Sequence, residues 1–170
     1  MENGPDVDGV AGGVRTVRAK TVLVLGLGNE ILGDDGVGLL ASRRVAELAG
    51  EQADHAEACV ATLDLLPMIA GYERVIVVDA YLSPAELPGA AVRVASDDLP
   101  RGFGYRSFHT LPFREMLELG RSCGLPMPRE VAVHGLRVEE VTTFGTAFSP
   151  SVERRWRAWA EEIARREFPL

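Results

Sequence analysis

Cysteine is scarce in this chain. There are two in 170 residues, Cys59 and Cys123, far apart and each without a second Cys nearby. That spacing excludes a disulfide framework and a zinc knuckle, and makes a reducing, cytoplasmic setting the simplest expectation. No apolar run approaches the roughly 20 residues needed to cross a bilayer, and residues 1–20 lack the apolar centre of an export signal, so no membrane partner is expected. Positive charge is also in short supply: 18 Lys and Arg stand against 25 Asp and Glu, a formal net charge of -7. A surface that tracks phosphates needs clustered cations, so nucleic acid is a poor partner. A Gly-x-Ser-x-Gly elbow is missing and only 3 histidines exist to act as bases, which argues against a serine hydrolase.

What is present fits one globular domain, with a hydrophobic content of 46%. Residues 1–19 are Gly-rich without apolar periodicity and are expected to be a flexible extension, leaving 20–170 as the domain. The run TVLVLGL at 21–27 is apolar and β-branched, as a strand covered on both faces should be. Val37, Leu40, Ala41, Val45 and Leu48 then recur at helical steps, and Gly50 stands where that helix should stop. A second strand is expected over 56–62 and a short helix over 63–70. RVIVVD at 74–79 is the clearest strand, with a carboxylate at its end. AVRVA at 91–95 alternates, as a strand near a sheet edge does. Thr110 can cap a helix carrying Phe113, Met116 and Leu117, with Gly120 just past its end. EVAV at 130–133 gives a further strand. Ser149-Pro150 opens a last helix with Val152, Trp156, Trp159 and Ile163 along one stripe. Strands alternating with helices predict a three-layer α/β/α sandwich, a single α/β domain with a mostly parallel central sheet.

In such sheets ligands bind beyond the carboxyl ends of the strands, at a switch in strand order. Asp34 and Asp35 lie in the loop after the first strand, Asp79 ends the clearest one, and His109 stands at the start of a later helix. Two carboxylates and an imidazole would form an O/O/N set suited to Ni, Zn, Co or Cd rather than to Ca or Mg. Plainer readings stand beside each residue. Asp34 or Asp35 can cap the helix, and His109 can be a surface residue. Asn29 can shape a tight turn as readily as touch substrate. Asp79 has no capping duty to explain it. His134 reads as a hydrogen-bonded residue after a strand, or as a support for the site. Cys59 reads as an inert core residue, the two tryptophans as packing, and Glu139-Glu140 as a solvated pair. A dinucleotide fold fails because the third glycine position is Ile31, and Asp34-Asp35 at the helix start would repel a pyrophosphate.

The stretch VLVLGLGNEILGDDGVG resembles the opening signature of the [NiFe]-hydrogenase maturation proteases, peptidase family M52. Similar segments follow in order: VIVVDA, ELPGAAVRV, SFHT around His109, His134-Gly135, and FSPSVE at the last helix. The resemblance runs over residues 21–165. It implies a C-terminal endopeptidase without a Ser or Cys nucleophile, in which Asp35, Asp79 and His109 engage nickel, with Asn29 and Asp34 organising the substrate loop. The resemblance further implies that nickel arrives with the partner, a [NiFe]-hydrogenase large-subunit precursor, so that the isolated enzyme is often metal-free. Asp35 stands where many members have Glu, and Val60-Ala61-Thr62 where relatives often show Gly-Gly-Thr. Two other functions share these residues: a chaperone that holds the nickel-loaded precursor without cutting it, and a small-molecule hydrolase, which would need a closed apolar pocket.

Overall fold

The computed structural model describes residues 21–59, 63–95, 98 and 113–169. The expected extension over 1–19, His109 and the expected Thr110 cap all lie outside them. The elements are β1 (Val22–Leu27), α1 (Val37–Ala49), β2 (Asp54–Ala58), α2 (Leu65–Ile69), β3 (Arg74–Tyr81), β4 (Ala91–Ala95), α3 (Phe113–Ser122), β5 (Glu130–Arg137) and α4 (Pro150–Glu167). The sheet order is β2-β1-β3-β5-β4. The pairs β1 with β2, β1 with β3 and β3 with β5 are parallel, and only β4 runs antiparallel, on β5 at the edge.

Side-chain alternation divides the core into two layers. Val24, Ile76, Val78 and Leu136 point to one face and pack with Val37 and Val45 of α1 and Trp159 and Ile163 of α4. Leu23, Leu25, Val75 and Val77 point to the other and pack with Leu65 and Ile69 of α2 and Met116 and Leu117 of α3. Each fully buried aliphatic contributes roughly 1.5–3 kcal/mol, so both faces need their helices. The three-layer α/β/α fold with a mostly parallel sheet is therefore as the sequence pattern predicts. Among the described residues no helix is long and apolar enough to cross a membrane.

Several boundaries differ from expectation, each for a local reason. The second strand begins at Asp54, two residues before 56, because its backbone pairs with β1 from Leu23↔Asp54 to Leu27↔Ala58. Cys59 falls just past that strand and is exposed, so it is not a core residue. β3 continues past Asp79 to Tyr81, and β5 past Val133 to Arg137, because the two pair along their whole length. Asp79 is therefore inside its strand rather than its last residue, and His134 is a strand residue, not one after a strand. Gly120 lies inside α3 rather than past its end, and a Cβ there would come within 2.5 Å of Met127 Sδ. Pro67 is tolerated in α2 because it sits in the first turn, where the N–H it lacks would have no partner within the helix.

Candidate active site

β1 leads to β2 on one side, and the chain then returns to place β3 on its other side. The switch in strand order thus lies between β1 and β3, and a crevice should open beyond Leu27 and Asp79. The β1–α1 loop fills its rim. Gly28 has φ +145°, and a Cβ on it would stand 2.1 Å from the carbonyl oxygen of Asp35, so the loop folds back on its own start. Gly38, in the first turn of α1, lets that turn rest on the strand ends: a Cβ there would lie 2.1 Å from the Leu27 carbonyl oxygen and 2.7 Å from that of Val78. The Gly33–Gly36 turn ahead of α1 is 3-10 helical and touches β3.

Asp35 sits in that turn, 2% exposed, with its backbone N–H donating to the Leu32 carbonyl at 3.2 Å. Asp79 is 6% exposed, and its Oδ1 accepts the N–H of Ala80 at 2.8 Å. Asp35, in the loop after β1, and Asp79, in β3, are thus both buried toward the carboxyl edge of the sheet. By alternation with Val75 and Val77, Asp79 faces the layer of α2 and α3. Neither Asp34 nor Asp35 is the N-cap of α1, since Gly36 holds that position.

Asp34 has a different task. Its Oδ1 accepts the N–H of Ser149 at 2.6 Å, which ties the β1–α1 loop to the start of α4, 115 residues away in sequence. Asn29 closes a tight turn, its Oδ1 accepting the N–H of Ile31 at 3.2 Å. Both organise the first loop. Among the described residues no group of three or more His, Cys, Asp or Glu side chains is placed to hold a metal ion.

Three features escaped the sequence reading. Arg43 of α1 bonds Glu57 of β2, Nε to Oε1 at 2.6 Å, and also bonds Glu30, so it pins the outside of the β1–α1 loop to the sheet edge. The Glu57 bond first, then the Glu30 bond, pushes the Arg43 pKa above its ordinary value. Ser42 Oγ lies 3.0 Å from His55 Nε2, an arrangement that suggests a nucleophile and its base. It is not one: Ser42 is fully buried and donates to the Leu39 carbonyl at 2.8 Å, and Glu57 approaches the same ring nitrogen, at 3.5 Å, rather than the opposite one. Burial lowers the His55 pKa.

The third feature is a charged cluster under the other face of the sheet. Glu167, at the end of α4, lies 2.8 Å from His134 Nε2 and 2.8 Å from Arg93 Nε, and is also bonded by Arg74. Burial, and then Arg93, Arg166 and Arg74, hold the His134 pKa down at about 3. The imidazole is therefore neutral, and its Nε2–H donates to the carboxylate. His134 fastens α4 to β5 on the α1 and α4 face, whereas Asp79 points to the opposite layer. Only a partner 33 residues away explains it, and no local pattern announces that partner.

Known structures share this fold. The hydrogenase maturating endopeptidase HybD of E. coli is 25% identical, with 86% of this chain and 93% of that one covered and a TM-score of 0.70. The [NiFe] hydrogenase maturation protease HybD of Thermococcus kodakarensis is 27% identical, with 85% and 97% covered and a TM-score of 0.67. The fold is thus that of α/β maturation endopeptidases. Among curated sequences, the hydrogenase expression/formation protein HupD of Rhodobacter capsulatus is 28% identical over 168 residues, spanning 87% of this chain and 77% of that protein. A family model described as HycI, hydrogenase maturation protease, matches residues 44–166. The chain belongs to the hydrogenase maturation protease family, hydrolases that process hydrogenase precursors.

Proposed function

We propose that this protein removes the C-terminal peptide of a [NiFe]-hydrogenase large-subunit precursor, and that it recognises nickel already seated in that precursor through Asp35, Asp79 and His109. The observation that carries the reading is the pair of buried carboxylates, Asp35 and Asp79, at the β1/β3 switch point of a maturation-protease fold. Buried acids at a switch point favour a functional reading over a structural one, because buried and perturbed ionisable groups cluster at such sites. Asp79 faces the layer of α3, and His109 precedes the first residue of that helix, Phe113, by four positions in the chain. Two carboxylates and one imidazole suit nickel by donor type and leave positions for ligands from the substrate.

The chain's own part is positional: it holds the metal-bearing end of the precursor in the crevice so that the scissile bond is presented beside it. Nickel there supplies Lewis-acid chemistry, polarising a carbonyl or activating water. Two exposed cysteines without a disulfide fit a cytoplasmic workplace.

The test uses precursor purified from nickel-replete and nickel-starved cells, each mixed with the protein and followed by mass spectrometry for loss of the tail. Cutting of the nickel-loaded form alone is expected. Equal cutting of both forms would overturn the metal-recognition reading.

A further inference from the structure

A groove of about 480 Å³ runs between the β1–α1 loop, on its Asp34 side, and the segment that joins β5 to α4. Its lining includes Leu32, Asp34, Glu139, Glu140 and Phe144, and contains three carboxylates and no Lys or Arg. The segment is held to the loop by a bridge of two hydrogen bonds: Gly145 N–H donates to the Ile31 carbonyl at 3.0 Å, and Gly33 N–H to the Gly145 carbonyl at 2.7 Å. Phe144 therefore stands next to Ile31, and it is 79% exposed.

The apolar exposure has a pattern. Among the described residues the large exposed apolar side chains are Ile31, Leu63, Leu87, Phe144, Leu119 and Leu125. The first four follow β1, β2, β3 and β5 at the carboxyl edge of the sheet, where the crevice opens. The described loops of that edge, residues 28–36, 63–64, 82–90 and 138–149, contain no Lys or Arg. Scattered exposed apolar residues need no explanation, but Ile31 and Phe144 stand side by side at the groove, and an adjoining apolar pair there marks a docking surface.

Each acid of the groove is held by neighbouring donors. Glu140 accepts the N–H groups of Thr142 and Thr143 and the Thr143 hydroxyl, which holds its pKa down to about 2. Glu139 accepts the Ser151 hydroxyl at 3.0 Å. Asp34 occupies the first free N–H of α4, which would otherwise favour an anion in the groove. These carboxylates are spread along the groove and already bound by protein donors, so they suit a flexible ammonium or guanidinium rather than a metal ion. The same charge repels nucleic acid and anionic lipid.

We infer that this groove receives an extended segment of the precursor's tail in which a Lys or Arg side chain meets Glu139 and Glu140 while a neighbouring apolar side chain packs on Phe144 and Ile31. The inference deepens the peptidase reading and rests on it. Nickel in the crevice would fix where the chain is cut, and the groove would select which tail is held.

Two fluorescein-labelled decapeptides test it, one carrying alternating Lys and Leu, the other with every Lys replaced by Glu. Each is titrated with the intact protein by anisotropy. The cationic peptide is expected to bind at least about tenfold more tightly, with the advantage shrinking as salt is added. Phe144→Ser and Glu139→Gln should each weaken it about threefold or more and raise KM for nickel-loaded precursor more than they lower kcat. Both variants should fold, since Phe144 is exposed and the amide that replaces the Glu139 carboxylate keeps an acceptor for Ser151. Equal binding of the two peptides overturns the inference, as does indifference to both substitutions. A Phe144→Ser effect confined to self-association in the ultracentrifuge would mean that the occupant is a second copy, and also overturns it. Selective peptide binding by a protein that cuts no precursor would sink the peptidase reading instead, so the two failures are separable.

Discussion

Gly38 and Asp79 are in near contact across the crevice: a Cβ on Gly38 would stand 3.0 Å from the Cα of Asp79, with the Leu27 carbonyl oxygen still closer at 2.1 Å. The first turn of α1 thus lies directly on the ends of β1 and β3, and the turn that carries Asp35 leads straight into it. Gly38→Ala should gain a little helix propensity but force the helix off two backbone carbonyls, a net loss of about 1–3 kcal/mol. Denaturant unfolding would register it. Cleavage should fall by more than the lost folded fraction explains, because Asp35 moves with the turn. A variant as stable and active as the parent would mean that the contact is soft.

Adjacent Asp34 and Asp35 should separate cleanly. Asp34→Asn retains an acceptor for the Ser149 N–H and should cost little, whereas Asp34→Ala leaves that N–H without its partner and should cost about 1–3 kcal/mol. Asp35→Asn should instead leave melting nearly unchanged and stop cleavage. Thermal melts and a precursor-processing assay on the three variants are sufficient. Retained processing in Asp35→Asn would remove Asp35 from the proposed nickel contacts.

The sequence showed this edge of the sheet better than it showed the tethers behind it. Asp79 stands out because an acid closing a β-branched run is easily seen, and Asp34-Asp35 because a doubled acid breaks the glycine-rich loop before α1. β4 was legible to its last residue because alternation is undisturbed on an edge strand. β2 was not: Asp54 and His55 look like loop, and only pairing with β1 makes them strand. Cys59 was misread for the same reason, since a shift of the strand by two residues carries it into solvent. Asp34 looked like a helix cap, and its real partner, Ser149, is visible only when the termini of α1 and α4 are brought together. Arg43, Ser42 with His55, and Glu167 have partners on other elements and no motif of their own.

The Glu167 cluster predicts a pH dependence of stability. His134 has a folded pKa of about 3 against an unfolded value near 6.5, so the unfolded chain binds more protons between these limits. Its contribution is complete above about pH 6.5 and is lost as the pH falls toward 3. The slope should be about 1.4 kcal/mol per pH unit within that window. His55, also shifted down, acts with the same sign. Comparing the protein with His134→Gln in urea between pH 7 and 5 isolates the His134 share, and the variant should lose less stability on acidification. Parallel slopes would place the dependence elsewhere. Glu167→Ala should be the more damaging change, about 3 kcal/mol or more, because it leaves His134 without its acceptor and Arg74 and Arg93 with only the half-exposed Glu130 between them.

Asp79→Asn distinguishes a working acid from a structural one by the sign of its effect. The carboxylate is buried, its Oδ1 accepts the Ala80 N–H, and an asparagine oxygen can take over that bond. If Asp79 is held near Asp35 for a cation that arrives with substrate, neutralising it removes repulsion in the unliganded protein, and the melting temperature should stay level or rise. Processing of the nickel-loaded precursor should then be lost, since an amide is a poor ligand for a borderline metal. A structural acid predicts the reverse, because removing its charge would weaken its native interactions and lower the melting temperature while the reaction continued. Calorimetry and the mass-spectrometric processing assay on one preparation decide between them. A melting temperature that drops by several degrees together with retained cleavage would make Asp79 part of the scaffold and leave the proposed nickel contact without its central ligand.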